Sequence, residues 1–388
     1  MTVVGTLDEL IQKLDTQRQI GNRLVPAVHE FEIDFDIDIP INLANYESRF
    51  PAGAKDALEF KSCKFSKTVN FKSNAVKLYI YDCHFEETNW NDVTFQNKVR
   101  MQSCHFHKPL ILNNTVFEDL VDFWDTKFYE KVVFYKTDFE ATVVFSLATF
   151  KQNLLFTYTR FARQVLLRGT VIEKGIDLSL AIIDGTLSIF DFKVPDFPAL
   201  IENQTRLEYE VSVSEDGDIP IKNKRETLRI IRKAFEGNSD YINSLNYKKL
   251  ELKTFDKILD YNIKISQDKW SNKFNRVILW LNRKSNDYGT RFEYGVLFTF
   301  RVGLIFFILI FLSTEEFWNR ICLNCEIDLD VIAYTIKQFI NYLNPVHSMD
   351  FIDEVRPIFG ISYIFDFFGR IAVGYGIYQT VQAFRKYR

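Results

Sequence analysis

Residues 117–150 read FEDLVDFWDTKFYEKVVFYKTDFEATVVFSLATF, and the spacing of their aromatic residues decides the fold prediction. One series recurs every eleven residues and extends beyond this stretch in both directions: Phe95, Phe106, Phe117, Phe128, Phe139, Phe150 and Phe161. A second series with the same spacing alternates with it: Trp90, Met101, Leu112, Phe123, Phe134, Phe145, Phe156 and Leu167. The resulting steps of five and six residues fit neither an amphipathic helix nor a strand.

A small or branched residue lies two positions before each member of the first series: Val93, Cys104, Thr115, Thr126, Thr137, Ala148 and Thr159. Self-similarity at a fixed period indicates a solenoid, in which each short side of a coil contributes one large inward side chain. The composition agrees with a repetitive core, because Phe accounts for 38 of the 388 residues, whereas the chain has only 15 Gly and 9 Pro.

This motif resembles the pentapeptide-repeat family, whose five-residue unit places a small residue two positions before a central Leu or Phe. The resemblance implies a β-solenoid over residues 57–200, a right-handed quadrilateral β-helix with about 22 residues per coil and about six coils. The chain departs from the family because alternate units carry a sixth residue. Residues 1–56 are expected to form a short amphipathic helix and a cap strand that includes Phe31, Ile33 and Ile39.

Three cysteines, Cys63, Cys83 and Cys104, occupy the small inward position of the repeat. The histidines that follow two of them are expected to face outward. A metal site would need both kinds of ligand on one side of the coil, so the sequence favours free thiols in a reduced interior, without metal or cofactor.

Residues 201–290 change to a helical period, which predicts a cytoplasmic helical collar of two helices that break near Gly237 and Asn238. The first helix carries a basic cluster: Lys222, Lys224, Arg225, Arg229, Arg232 and Lys233. Two interpretations are open, namely a solvated face or a surface that binds an anion, a nucleic acid or another subunit. The sequence contains no phosphate-binding loop and no acid–base or nucleophile–His motif, so we do not expect an enzyme.

Residues 291–388 contain two apolar segments, which predict a transmembrane domain with spans at about 294–314 and 357–384. Residues 269–301 carry seven Lys or Arg and two acids, whereas residues 313–356 carry eight acids and three bases. This charge distribution predicts a bacterial inner-membrane protein with both termini cytoplasmic and an outer segment at 315–356. For each segment alone, a helix in a soluble core is the alternative.

Charged residues within the predicted spans are costly and commonly functional. We expect Arg301, Asp366 and Arg370 to form a buried cluster; alternatively, Arg301 extends to the inner interface. Residues 372–377 read AVGYGI and match four letters of the potassium-channel filter, but too few residues follow for a complete inner helix. Small residues near this stretch are instead expected to form a packing seam or gate: Gly369, Gly374 and Gly376.

The outer segment contains a C-x-x-C pair, Cys322 and Cys325, which would close a small disulfide loop in an oxidising compartment. A helix is predicted from Val331 to Leu343, so the order is span, short helix, loop and span, as in two-span pore-loop channels. Acidic side chains are expected to surround an outer mouth and favour cations: Asp328, Asp330, Asp350, Asp353 and Glu354.

Two helices cannot enclose a water-filled pore, so a channel would be a homo-oligomer, which we expect to be a tetramer. The whole chain resembles bacterial pentapeptide-repeat proteins with a C-terminal two-span ion-channel-like domain. The repeat series carries this resemblance, together with ILWLNRKSNDYGTRFEYGVLFTFR (278–301) and GRIAVGYGIYQTVQAFRKYR (369–388).

The architecture is also similar to the membrane effectors of bacterial antiviral systems of the Hailong type. In those systems a partner nucleotidyltransferase makes short DNA oligomers that hold the channel closed. The resemblance implies an abortive-infection effector that depolarises the membrane, with a nucleotide or oligonucleotide ligand at the basic helix. The alternatives are a membrane-anchored scaffold whose β-helix binds a partner protein, and a repeat protein that mimics DNA.

Overall fold

The computed structural model describes residues 1–15, 18–20, 23–41, 56–201, 204–265, 269–314, 329–354 and 360–384. The chain folds as two compact units, Met1–Ser239 and Asp240–Arg388. The boundary divides the predicted collar at 201–290, because the first collar helix packs on the end of the solenoid and the second packs with the helices that follow it.

The first unit is a β-solenoid of about six turns. Its short parallel strands stack into four sheets, one on each side of the coil. The first sheet contains Thr2–Val4, Phe31–Ile33, Ile37–Ile39, Lys64–Phe71, His84–Asn89, His105–Phe106, Lys127–Phe128, Thr149–Phe150 and Val171–Ile172. The second contains Thr94–Phe95, Val116–Phe117, Asp138–Phe139, Arg160–Phe161 and Ile182–Ile183.

The third sheet contains Ala27–His29, Ala57–Lys61, Lys77–Tyr81, Val99–Gln102, Val121–Asp122, Val143–Val144, Val165–Leu166 and Leu187–Ser188. The fourth contains Leu110–Asn113, Val132–Tyr135, Leu154–Thr157 and Ile176–Asp177. A separate antiparallel pair joins Gln19–Ile20 to Arg23–Leu24.

The strand register explains the eleven-residue spacing. Phe106 pairs with Phe128 and Phe128 pairs with Phe150, so one coil uses 22 residues. Each inward ring therefore stacks on its equivalent in the next coil, as Phe117 does on Phe139 with ring centroids 5.2 Å apart. The first coils are shorter, because Phe65 pairs with Phe85 and Phe85 with Phe106, at offsets of 20 and 21 residues.

Four of the small inward residues, Thr115, Thr126, Thr159 and Thr170, donate a hydrogen bond to a buried carbonyl group of the preceding coil. The Thr126 hydroxyl donates to the Met101 carbonyl oxygen at 2.5 Å, and Cys104 Sγ lies 3.6 Å from the Ile80 carbonyl oxygen. Cys63, Cys83 and Cys104 are buried free thiols in this position, as predicted. Burial raises the pKa of Cys104 to about 12, which holds its thiol protonated.

The neighbouring histidines form an outward, half-buried stack. The His84 and His105 rings lie 4.4 Å apart, and His84 Nδ1 lies 3.1 Å from His107 Nε2. Partial burial lowers the pKa of both His84 and His105, and repulsion between the imidazoles lowers it further. Within the described ranges, no group of three or more His, Cys, Asp or Glu is arranged to hold a metal ion.

The N-terminal part of this unit differs from the single cap strand that was predicted. A short helix, α1 (Leu7–Gln12), is N-capped by Thr6 and buries Leu10 and Ile11. Ala27–His29 pairs in the third sheet, whereas Phe31–Ile33 and Ile37–Ile39 pair in the first. Residues 27–39 therefore form two sides of an additional coil, with the corner between His29 and Phe31.

At the other end, α3 (Ile221–Gly237) packs on Ile176–Asp177, the last strand of the fourth sheet. Before it, α2 (Arg206–Val211) continues into a π-helical turn at Ser212–Asp216, which packs along the side of the same sheet, where the Thr157 hydroxyl donates to the Val213 carbonyl oxygen. The buried Asp177 carboxylate accepts a hydrogen bond from Asn223 at 2.9 Å and one from the Thr227 hydroxyl at 3.2 Å. These bonds attach α3 to the solenoid.

The second unit is helical in its described part: α4 (Tyr241–Lys264), α5 (Lys269–Asn286), α6 (Phe292–Leu312), α7 (Leu329–Tyr342), α8 (Asp350–Glu354) and α9 (Ile361–Phe384). Leu259, Leu279 and Tyr288 form the core between α4 and α5. Helix α7 matches the helix predicted at 331–343. Among the described residues, one helix is long and apolar enough to cross a membrane, and it is α6.

The corners of the solenoid offer a test of the fold. The residue before each small inward position has a left-handed backbone, with φ of 55° at Asp125 and 61° at Leu147, and Gly169 continues the series. Aspartate, asparagine and glycine tolerate this conformation, whereas leucine does not. Because Leu147 is half exposed, Leu147→Asn should raise the free energy of unfolding by about 1 kcal/mol.

Chemical denaturation of the full chain, followed by circular dichroism, measures this difference. The matched control is Asp125→Leu at the equivalent corner, which should lower the unfolding free energy by a similar amount. An unchanged or lower stability for Leu147→Asn would contradict the interpretation of these corners.

Candidate functional site

Helices α6 and α9 pack antiparallel along the whole of α6. At one end the Phe292 and Phe384 rings lie 4.5 Å apart. At the other end the Ser313 and Ser362 hydroxyl oxygens lie 2.7 Å apart. Between these ends Gly295 faces Thr380 and Gly376 faces Thr299. The two helices are therefore in register over the 21 residues of α6, about 31 Å of helix.

Helix α9 is polar or small on its buried face and apolar on its exposed face. The buried residues are Ser362, Asp366, Gly369, Val373, Gly376, Gln379 and Ala383. The exposed apolar residues include Ile364, Phe367, Phe368, Ile371, Ile377, Tyr378, Val381 and Phe384. This inverted pattern lowers the average hydropathy of α9 although its outer surface is apolar, because the polar groups lie against α6. Residues 357–359 of the predicted second span lie outside the described residues.

The predicted glycine seam is found at two of its three positions. A Cβ at Gly376 would collide with Thr299, and a Cβ at Gly369 would collide with the Tyr342 hydroxyl. Gly374 has no such close neighbour, since the nearest atom to such a Cβ is Pro345 Cβ at 3.9 Å. Helical phase explains the difference, because Val373 and Gly376 lie on the buried face and position 374 does not.

A buried polar cluster lies beside this seam. Asp366 is fully buried, and its two carboxylate oxygens have different partners. Arg370 Nε donates to Oδ2 at 2.7 Å, and His347 Nε2 lies 2.9 Å from Oδ1. His347 Nδ1 also lies 2.7 Å from the Asn344 carbonyl oxygen. Both ring nitrogens of His347 therefore face oxygen atoms that can accept a hydrogen bond.

The pairing of Asp366 with Arg370 was expected, but Arg301 is not the third member. Gly295, Thr299, Gly303 and Phe307 form the buried face of α6, and position 301 is about 200° from 299 and from 303. Arg301 is accordingly exposed on another face. Sequence reasoning missed His347, although a histidine two residues after Pro345 in the loop before a predicted span was an available signal.

Arg301 lines a cavity of about 580 Å³ between α5 and α6, together with Trp280, Arg283, Lys284, Asp287, Tyr294, Leu297 and Phe298. The alternative expectation, in which Arg301 extends to the inner interface, stays a prediction.

Helix α7 ends near the middle of α6. The Phe339 ring packs on Phe307 at 5.5 Å, and Leu343 Cδ2 would lie 2.6 Å from a Cβ at Gly303. Gly303 is nine residues from the C-terminal end of α6, about 14 Å along the helix. The chain then turns at Pro345 and passes His347. It returns to the level of Tyr363, whose hydroxyl donates to Asp353 in α8.

Only some of the residues predicted for the outer segment lie in the described part of the chain. Asp350 and Asp353 are exposed, as a solvent-facing site requires. Cys322, Cys325 and Asp328 lie outside the described residues, and so do the side chains of Asp330 and Glu354.

The basic cluster of α3 is not one continuous surface. Lys224 is buried, with Nζ 2.5 Å from Asp196 Oδ1, and it also donates to the Phe197 carbonyl. Arg229 pairs with Glu226 at 2.5 Å, and Arg232 pairs with Glu236 at 3.7 Å on the same helix. Arg225 is half-buried, while Lys222 and Lys233 are exposed. Lys224 therefore belongs to the cap, and it cannot form part of an external binding surface.

Comparison of the chain with protein-family models, with curated proteins and with solved structures finds no match. The fold and the polar cluster are therefore interpreted from their own residues.

The seam supports a prediction with a matched pair of variants. Gly376→Ala should lower the stability of the α6–α9 packing by about 1–3 kcal/mol, because the added methyl group meets Thr299. Gly374→Ala adds the same methyl group without a close neighbour and should be neutral or slightly stabilising. Thermal unfolding of both variants in detergent measures the difference, and equal behaviour would contradict the assigned seam.

The polar cluster supports a second prediction. Asp366→Asn keeps the shape of the side chain but leaves Arg370 and His347 without their buried anion, at an expected cost of about 3–5 kcal/mol. Asp353→Asn, at an exposed position, should have little effect. The yield and thermal midpoint of purified protein in detergent measure both variants; wild-type stability of Asp366→Asn would show that the cluster is dispensable for folding.

Proposed function

We propose that this chain is a subunit of an oligomeric membrane ion channel controlled by its β-solenoid. In this proposal α6 and α9 are two membrane spans, α7 and the loop after it form a re-entrant pore segment, and the solenoid lies in the cytoplasm. The observation that carries the proposal is the end of α7 beside Gly303, in the middle of α6.

The contacts of α9 support the proposal of a second span. If α6 crosses a bilayer of about 30 Å, then a helix packed antiparallel along its whole length crosses with it. The apolar outer face of α9 suits lipid, and its polar groups are satisfied inside the pair. The contacts of α9 with α6, and not its average hydropathy, support a two-span hairpin.

The polar backbone of the proposed re-entrant loop is the part of the chain that would require a pore. Irregular backbone at membrane depth is tolerated where it is buried in protein or lines a water-filled cavity. Residues 343–349 are irregular, and Val346 is 83% exposed in the single chain, while Asn344 and Ser348 are also exposed. A symmetric assembly that places these loops around a common axis would supply the water that their polar groups require.

Arg370 also favours an assembly. Its Nη2 is buried and has no hydrogen-bond partner within the described part of the chain. A buried guanidinium nitrogen without a partner is costly, so water or an acceptor from a neighbouring subunit would stabilise it. A tetramer, the common arrangement for two-span subunits, remains our expectation for the subunit number.

The antiviral role stays a prediction that rests on the resemblance to effector channels. A nucleotide or oligonucleotide ligand, made by a partner nucleotidyltransferase, would have to use the exposed bases of α3, which are Lys222, Arg229 and Lys233, because Lys224 is buried. A scaffold that uses the helices only as a tether is the alternative function, and it does not require an accessible loop at membrane depth.

Cysteine accessibility tests the channel. In a chain with Cys322→Ser and Cys325→Ser, the remaining thiols are buried. Val346→Cys should react with a charged, membrane-impermeant thiosulfonate and lose most of its conductance in a planar bilayer. Ile371→Cys is the matched control, since Ile371 is 57% exposed in the single chain but faces lipid in the proposal.

The channel proposal fails if the purified oligomer shows no conductance, or if Val346→Cys is as inert to the reagent as Ile371→Cys. If the conductance is unchanged after complete modification of Val346→Cys, the loop does not line the pore. Expression that arrests bacterial growth only when conductance is intact would support the effector role.

A further inference from the structure

Helix α5 has the character of a helix at a membrane surface. It carries five Lys or Arg and no Asp or Glu. Trp270, Phe274, Val277 and Ile278 form an exposed apolar face, and Trp270 is 74% exposed. Lys273 Nζ lies 5.4 Å from the centre of the Trp270 ring. Basic residues beside exposed tryptophan and phenylalanine are typical of helices that lie in the headgroup region of a bilayer.

The cavity between α5 and α6 combines three cations with apolar walls. Arg283 and Lys284 come from the end of α5, and Arg301 comes from α6. None of these three side chains forms an ion pair or hydrogen bond with another described residue. The one acid in the lining, Asp287, is neutralised by Lys249, with which it forms an ion pair. The cavity therefore has a net positive charge.

The apolar walls continue from the cavity along α6. Trp280 and Tyr294 lie at the end where α6 begins, and Leu297 and Phe298 follow one turn further along the helix. Aromatic residues with polar tips favour the membrane interface, and leucine and phenylalanine favour the hydrocarbon. Side chains on a helix lean towards its N-terminus, so Arg301 extends from within the span back towards Arg283 and Lys284.

We propose that this cavity binds the headgroup of an acidic phospholipid. The phosphate would be held by Arg283, Lys284 and Arg301, and an acyl chain would lie along Leu297 and Phe298. The volume of about 580 Å³ is sufficient for a glycerophosphate headgroup. The proposal rests on the membrane placement of α6 in the proposed function, but it does not require a pore. It assigns a binding role to Arg301, the exposed charge in the middle of α6.

Brominated lipids test this site, because bromine quenches tryptophan fluorescence at short range and Trp280 lines the cavity. The full chain is placed in nanodiscs of phosphatidylcholine that contain either dibromo-phosphatidylglycerol or dibromo-phosphatidylcholine. We expect the brominated acidic lipid to associate at least about fivefold more strongly than the neutral one, the effect of one or more cations near the surface. Trp280→Phe should remove the lipid-selective part of the quenching.

The variant Arg283→Gln with Lys284→Gln should abolish this preference, whereas Lys253→Gln with Lys257→Gln, two exposed bases of α4, should retain it. Equal quenching by the two lipids in the wild-type chain would overturn the site, and so would an unchanged preference in Arg283→Gln with Lys284→Gln. Loss of the selective quenching on adding a short single-stranded DNA would identify the cavity as a nucleotide site and would also overturn it.

The outcomes separate this inference from the channel. Selective quenching in protein that conducts no ions would support the lipid site and refute the pore. Conductance without selective quenching would refute the lipid site alone. No quenching of Trp280 by either lipid would refute the membrane placement on which both rest.

Discussion

The buried carboxylate of Asp366 requires hydrogen-bond partners inside the helical unit, and the positions of three elements depend on that requirement. Arg370 supplies one partner from the next turn of α9, and His347 supplies the other from the loop after α7. Because His347 must reach Asp366, the loop cannot remain at the end of the spans. It passes beside Gly374, and α7 ends beside Gly303. A buried charge thus determines the path of the segment that we place in the pore.

The same rule, that a buried polar group needs a partner, organises the solenoid. Threonine hydroxyls bind carbonyl groups of the preceding coil, and the Asp177 carboxylate binds the cap helix α3. Stacked phenylalanine rings fill the interior, while these polar groups bond one coil to the next and the last strand of the fourth sheet to α3. Both units therefore combine a repeated apolar surface with a few polar contacts between residues distant in sequence.

The solenoid was predictable from sequence because its contacts repeat at a fixed interval, so that the same residue pattern recurs in every regular coil. The additional coil at Ala27–Ile39 was less visible, since it precedes the region where the eleven-residue series is regular. The site was less predictable still. Charges within an apolar segment pointed to Asp366 and Arg370, and small residues pointed to Gly369 and Gly376, but His347, the other partner of Asp366, lies in a loop without a period. Whether Arg301 and Gly374 lie on the buried face of their helices could be calculated only once the facing helix was known.

The packing of α3 on the solenoid has a consequence for association between molecules. A parallel solenoid ends in unpaired backbone groups on each of its sides, and such edges can pair with another chain. The bonds of Asn223 and Thr227 to Asp177 and the burial of Lys224 over Phe197 keep α3 seated on this end. Helix α3 thereby covers the last strand of the fourth sheet, Ile176–Asp177, so this edge is not available for pairing with another chain.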